Sequence, residues 1–306
     1  MDNLAHTLIG IGVARSGLSR KFGPGTTLTL ALSSNLPDVD ALYAFWDGWN
    51  RFMLRRTHTH ALVSLPLLAA GLAFVLGHRY RQQSWRTLFG LSALGIGLHI
   101  LFDLVNSFGV VVLWPFDRNR YELASVFIID LAIWGIALAP LVAGSFLRDP
   151  AIRERAYRLS CAGLAVYVGA CVLAHARSES IVREYLALRG IRAERLELFP
   201  EPLGPDRFRA AALHGSDWEI VLCRVLSGRC EPLGERRTDR SAPRVREVRE
   251  SPRGRALEWF MAAPVWTLES DGSVSVQDLR FESAVLPRGN PFVVRFPPGT
   301  VEPVFR

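Results

Sequence analysis

An imidazole and a carboxylate sit four residues apart inside an otherwise apolar run. His99 and Asp103 are the ionisable residues of segment 88–105. A helix crosses a membrane with about 20 mainly apolar residues, and this segment reads as such a span. A charge in that setting is costly, so it marks a functional position by default. On a helix, residues i and i+4 share a face. One imidazole and one carboxylate on one face make half of a metal site. A His–Asp hydrogen bond that ties two helices together explains the pair equally well, and the rest of the chain has to decide.

Hydrophobic residues make up 49% of the 306, and they come in blocks. Residues 3–14 form a short apolar helix that carries His6 and can be capped by Asp2 or Asn3. Residues 26–36 form a second, which runs into Pro37-Asp38-Val39-Asp40. Both are too short to span a bilayer, so they read as a re-entrant helical hairpin packed against protein. Met1-Asp2-Asn3 lacks the charged start of a secretory signal, so the first segment is expected to be retained. An aromatic loop with Trp46 and Trp49, suited to a membrane interface, ends in Arg55-Arg56-Thr57-His58-Thr59-His60. Further spans are expected at 61–77, 88–105, 126–147 and 159–174, with Asp130 one turn inside the third of them.

After Ala174 the character changes. Residues 177–188 look amphipathic. Short alternating runs at 207–213, 217–226, 258–268, 273–281 and 292–296 then indicate strands. The arginine-rich stretch 235–255 reads as a solvated charge run. The expected fold is mainly α: a polytopic membrane helical bundle with a short N-terminal hairpin, followed by a small β-rich extracytoplasmic domain. The division predicted is 1–176 and 177–306.

The net charge of +7 could point to nucleic acid, but no nucleic-acid motif accompanies it. Loops 15–21, 78–86 and 148–158 carry more Lys and Arg than loops 41–60 and 106–122, which places the former in the cytoplasm. Alternating spans then bring His6, Asp38, Asp40, His58, His60, His99, Asp103 and Asp130 to one side of the membrane at similar depth. Most of these residues, taken singly, read as caps or packed polar groups. Jointly they call for a cation. Imidazole and carboxylate suit zinc, manganese or iron, and thiolate is absent from the set. In Asp38-x-Asp40 and His58-x-His60 the paired side chains diverge on extended backbone, so one of each pair can bind metal while the other orients it. Cys161 and Cys171 read as small apolar residues, whereas Cys223 and Cys230 could pair outside the cytoplasm.

Several motifs resemble the YdjM-like family of inner-membrane proteins described as metal-dependent hydrolases. The opening Met1-Asp2-Asn3-Leu4-Ala5-His6 is similar to that family's Met-Asp-x-x-Thr-His start. Leu36-Pro37-Asp38-Val39-Asp40 is similar to its Pro-Asp-Ile-Asp motif, and Arg55 to His60 to its His-Arg-x-x-His-Thr-His segment. His99-Ile100-Leu101-Phe102-Asp103 matches its His-x-x-x-Asp helix, and Trp114-Pro115-Phe116 and Ile129-Asp130 also fit. Two positions depart: Ala5 stands for Thr, and Leu54 for a further His. A looser similarity links the chain to zinc-dependent phospholipase C and nuclease enzymes. The resemblance implies a divalent metal, zinc first with manganese or iron as alternatives, on His6, Asp38, Asp40, His58, His60, His99 and Asp103. Asp40 would be the general base or a bridging ligand, and Asp130, Asn106 and Arg56 would support the ligands from behind. It implies hydrolysis of a phosphoester in a membrane lipid or lipid-linked substrate. A metal-stapled scaffold and a metal or proton transporter are the alternatives. The sequence leaves protein partners unknown.

Overall fold

The structure is a computed structural model that describes residues 1–45, 49, 53–285 and 292–305. Trp46, from the aromatic loop, lies outside the described residues. The chain forms two compact units, Met1–Trp46 with Leu54–Val172, and Leu173–Arg306 with Asp47–Met53.

The first unit is helical. Helix α1, Asn3–Val13, starts at Asp2, whose Oδ1 accepts from the Ala5 amide at 3.0 Å. Asp2 Oδ2 also accepts from Trp134 Nε1 at 3.0 Å, so the cap is tied into the core. The chain continues through a π-helical turn, Ala14–Leu18, into α2, Ser19–Phe22, with Gly17 at φ 134 providing the kink. Helices α3 (Thr26–Ser33), α4 (Leu65–Arg79), α5 (Trp85–Leu104) and α6 (Leu131–Phe146) follow, then α7, Pro150–Leu188, whose residues up to Val172 belong to this unit.

Small residues let α3 approach its neighbours closely. A Cβ on Gly95 would meet Ser33 Oγ at 1.9 Å, and one on Gly10 would meet the Leu30 carbonyl oxygen at 2.6 Å. This close seating brings the end of α3 beside His99 on α5.

The expected polytopic helical bundle is corrected here. Only two helices among the described residues, α5 and α7, are long and apolar enough to cross a membrane. The expected spans at 61–77 and 126–147 shrink to the shorter apolar helices α4 and α6. The causes are local. Residues 61–64 form a turn, and α4 begins beside Pro66. Asp130 turns its carboxylate back onto the amides of Ala132 and Ile133 at 2.9 and 3.0 Å, so α6 cannot begin before Leu131. At 1.5 Å per residue, helices of these lengths reach roughly 23–24 Å, short of the ~30 Å hydrocarbon core. The expected basic loop 148–158 is also mostly helix, the first part of α7.

The second unit carries two antiparallel four-stranded sheets. One is a meander of β1 (Arg195–Pro200), β2 (Arg207–His214), β3 (Asp217–Arg224) and β4 (Arg229–Arg237). The other is a meander of β5 (Pro264–Leu268), β6 (Val274–Asp278), β7 (Val293–Phe296) and β8 (Val304–Phe305). The amphipathic end of α7 packs Ile181, Val182 and Leu186 against Leu198, Ala210, Ala212 and Val221. Cys223 and Cys230 face each other across β3 and β4 and form a disulfide. The stretch read as a solvated charge run is instead built into the fold. It completes β4 and then forms α8 (Pro243–Glu250) and the first turn of α9 (Pro252–Phe260). Val245 and Val248, three apart, give α8 a buried face, which supports a helix despite its arginines.

Candidate metal centre

Four side chains from three separate segments converge in the helical unit. Asp38 comes from the 3-10 helix Leu36–Phe45, His60 from the 3-10 turn His58–His60, and His99 and Asp103 from one face of α5. Each offers a ligand atom, these atoms all lie within 4.8 Å of one another, and all four residues are buried. His60 Nε2 and His99 Nε2 are 3.1 Å apart. Asp103 Oδ2 lies 3.3 Å from His60 Nε2 and 3.4 Å from His99 Nε2. Asp38 Oδ1 lies 3.8 and 4.0 Å from the same two nitrogens. A tetrahedral zinc ion with bonds of about 2.0–2.1 Å sets its ligands roughly 3.3–3.4 Å apart, so the spacing suits a small cation.

The remote nitrogens point the same way. His99 Nδ1 lies 2.7 Å from the Ser34 carbonyl oxygen at the end of α3. His60 Nδ1 lies 3.3 Å from Asp40 Oδ2 and 3.1 Å from Thr59 Oγ1. A ring that donates from Nδ1 presents a lone pair at Nε2, and this is how histidine is prepared to bind metal. Two such lone pairs facing each other at 3.1 Å repel unless a cation or a proton lies between them. Asp38 Oδ2 and Asp103 Oδ2 are both buried without a hydrogen-bond partner. An orphaned carboxylate oxygen is expensive to bury, and a cation is what would satisfy it. Burial alone would lower the His60 pKa, but the Asp103 and Asp40 carboxylates beside it raise it overall. Burial would likewise raise Asp40, but its hydrogen bond to His60 and the His60 and Arg55 charges hold it below the usual range.

The remaining predicted residues surround this group. His6 stacks on His99 with ring centroids 3.9 Å apart, and its Nε2 lies 3.3 Å from Asp103 Oδ1. The Met1 α-amine contacts the same oxygen. Arg56 reaches Asp103 Oδ1 at 2.9 Å and Asn106 Oδ1 at 3.0 Å, while its amide donates to Asp40 Oδ2 at 2.7 Å. Asn106 Nδ2 donates to Asp103 Oδ1 at 3.3 Å. Asp40 thus has both oxygens engaged, Oδ1 by Arg55 at 3.1 Å and Oδ2 behind His60. His58 stands outside the four-residue group, edge-on to Trp114 at 4.7 Å. Asp130 is also outside it: besides capping α6, it accepts from the Tyr167 hydroxyl at 2.9 Å.

Two contributors were not among the residues expected at the site. Ser34 acts through its carbonyl, which any residue could supply. Arg55 stood in the segment that resembles the family's His-Arg-x-x-His-Thr-His motif but was given no role there. Its guanidinium bridges Asp38 and Asp40.

The family described as "YdjM inner membrane protein" matches residues 1–178, in agreement with the motif resemblance and covering every residue of the candidate centre. No curated protein and no solved structure matches the chain.

Proposed function

We propose, for a chain that belongs to the YdjM inner membrane protein family, a membrane-bound metal-dependent hydrolase acting on a phosphoester in a lipid or lipid-linked substrate. The observation that carries this reading is the set of four buried ligand atoms from Asp38, His60, His99 and Asp103, with both imidazoles oriented by acceptors at Nδ1. Their chemistry fits a divalent ion, zinc before manganese or iron. Such an ion supplies a Lewis acid that polarises a phosphoryl oxygen and acidifies water.

The chain's own residues do the rest. Asp40 orients His60 and accepts charge from behind it. Ser34 fixes the His99 ring. Arg56, Asn106 and His6 hold the Asp103 oxygen that faces away from the two imidazoles. Residues 79–86 at the start of α5 carry arginines, and the ligands lie near its other end. With a cytoplasmic start for α5, His99 and Asp103 would lie in the outer half of a bacterial inner membrane. The disulfide favours an oxidising, extracytoplasmic compartment for the second unit.

Elemental mass spectrometry of the detergent-purified protein, beside a His99→Ala, Asp103→Ala variant, tests the metal. Near-stoichiometric zinc or manganese that vanishes in the variant supports the reading. Hydrolysis of phosphoester lipids that stops on chelation and returns on metal addition supports the enzyme. Metal bound without turnover on any such substrate would leave a scaffold instead.

A further inference from the structure

Two consecutive arginines at the centre have different surroundings. Arg56 is buried. Its guanidinium is engaged by Asp103, Asn106 and the Met1 carbonyl oxygen, and it lies 4.7 Å over the Phe108 ring. It is a fixed counter-charge. Arg55 is 24% exposed, with Nη2 donating to Asp38 Oδ1 at 3.0 Å and Nη1 to Asp40 Oδ1 at 3.1 Å. Among the described residues whose hydrogen bonds or ion pairs reach an oxygen of Asp38 or Asp103, Arg55 alone meets solvent substantially. Its main chain is clamped, because Arg120 donates to the Arg55 carbonyl oxygen at 3.2 and 3.3 Å.

Asp38 Oδ1 lies between Arg55 and the rest of the four-residue group. It lies 3.8 and 4.0 Å from the two imidazole nitrogens and is also the acceptor for Arg55. A divalent ion on that oxygen competes with the guanidinium and repels it. We propose that Arg55 is a built-in counter-cation that neutralises Asp38 and Asp40 while no metal is held, and that metal binding frees its guanidinium to take the phosphoryl group of the substrate. The planar fork of arginine matches phosphoryl oxygens two at a time, and Arg55 is partly exposed. This inference rests on the metal-dependent reading above and adds the group that selects an anionic substrate.

The test uses the full-length detergent-purified protein, Arg55→Gln and Arg55→Lys, with two readouts other than turnover. Zinc affinity is measured by chelator competition, and inorganic phosphate affinity of the zinc-loaded protein by calorimetry. Removing a partly solvated competing charge should tighten zinc binding in Arg55→Gln by up to roughly fivefold. Losing the charged fork should weaken phosphate binding by about tenfold or more. Arg55→Lys, with the charge but not the fork, should keep the parental zinc affinity and give an intermediate phosphate affinity. Loss of zinc in both variants with helical content intact would make Arg55 a scaffold residue and overturn the inference, as would phosphate affinity unchanged in Arg55→Gln. A parent protein that binds no zinc, manganese or iron would instead sink the metal reading and this inference with it.

Discussion

Asp38 and Asp40 are separated by one residue, yet both are buried while Val39 between them is 42% exposed. The 3-10 helix that carries them turns both carboxylates inward at different depths, so Asp38 joins the four-residue group and Asp40 stands behind His60. The two positions should answer differently to substitution. Asp40→Asn keeps the shape but removes the charge that orients His60, so metal affinity should fall about 10–100-fold, as when such supporting carboxylates are lost elsewhere. Asp38→Asn removes a ligand charge and should cost more. Titration of both variants against a zinc chelator orders them, and equal losses would mean that Asp40 is itself a ligand.

At the scale of elements, the centre depends on how closely α3 seats against α1 and α5. Gly95 lies one turn before His99 and directly under Ser33, and α3 ends at the Ser34 carbonyl that holds the His99 ring. Gly95→Val should drive the helices apart at a cost of about 1–3 kcal/mol, the range for overpacked cores. It should also weaken metal binding although no ligand is touched. Thermal melting with and without added metal checks both parts. Unchanged metal affinity in a destabilised protein would separate packing from ligand orientation. The same close seating explains why His6, on α1, stacks against His99 on α5.

For the whole molecule, the compartment can be read from the cysteines. Cys161 and Cys171 are free thiols, and Cys223 and Cys230 are joined. Alkylation of the unreduced, denatured protein should therefore add two labels, and reduction should raise this to all four cysteines of the chain. Four labels without reduction from freshly quenched cells would place the second unit in a reducing compartment. The ligand group lies within the first unit and within the residues matched by the family. Changes confined to the sheets of the second unit should leave metal stoichiometry intact, which elemental analysis of a Cys223→Ser, Cys230→Ser variant checks.

His99 and Asp103 could be singled out as candidates in the sequence because charge inside apolar helix is costly wherever the chain goes, so they declare themselves without a fold. The strand-rich second unit was legible for a similar local reason, through alternation and turn residues. Span number was not, because hydropathy cannot see a carboxylate such as Asp130 capping a helix and shortening it. Nor could the sequence separate Asp38 from Asp40 or His58 from His60. Those roles follow from which carbonyl, carboxylate or arginine each side chain meets across the fold, and such contacts exist only once distant segments are packed together. Arg55 belongs to the same class: in sequence it is a motif residue without a role, and only the tertiary structure sets it between two buried carboxylates and solvent.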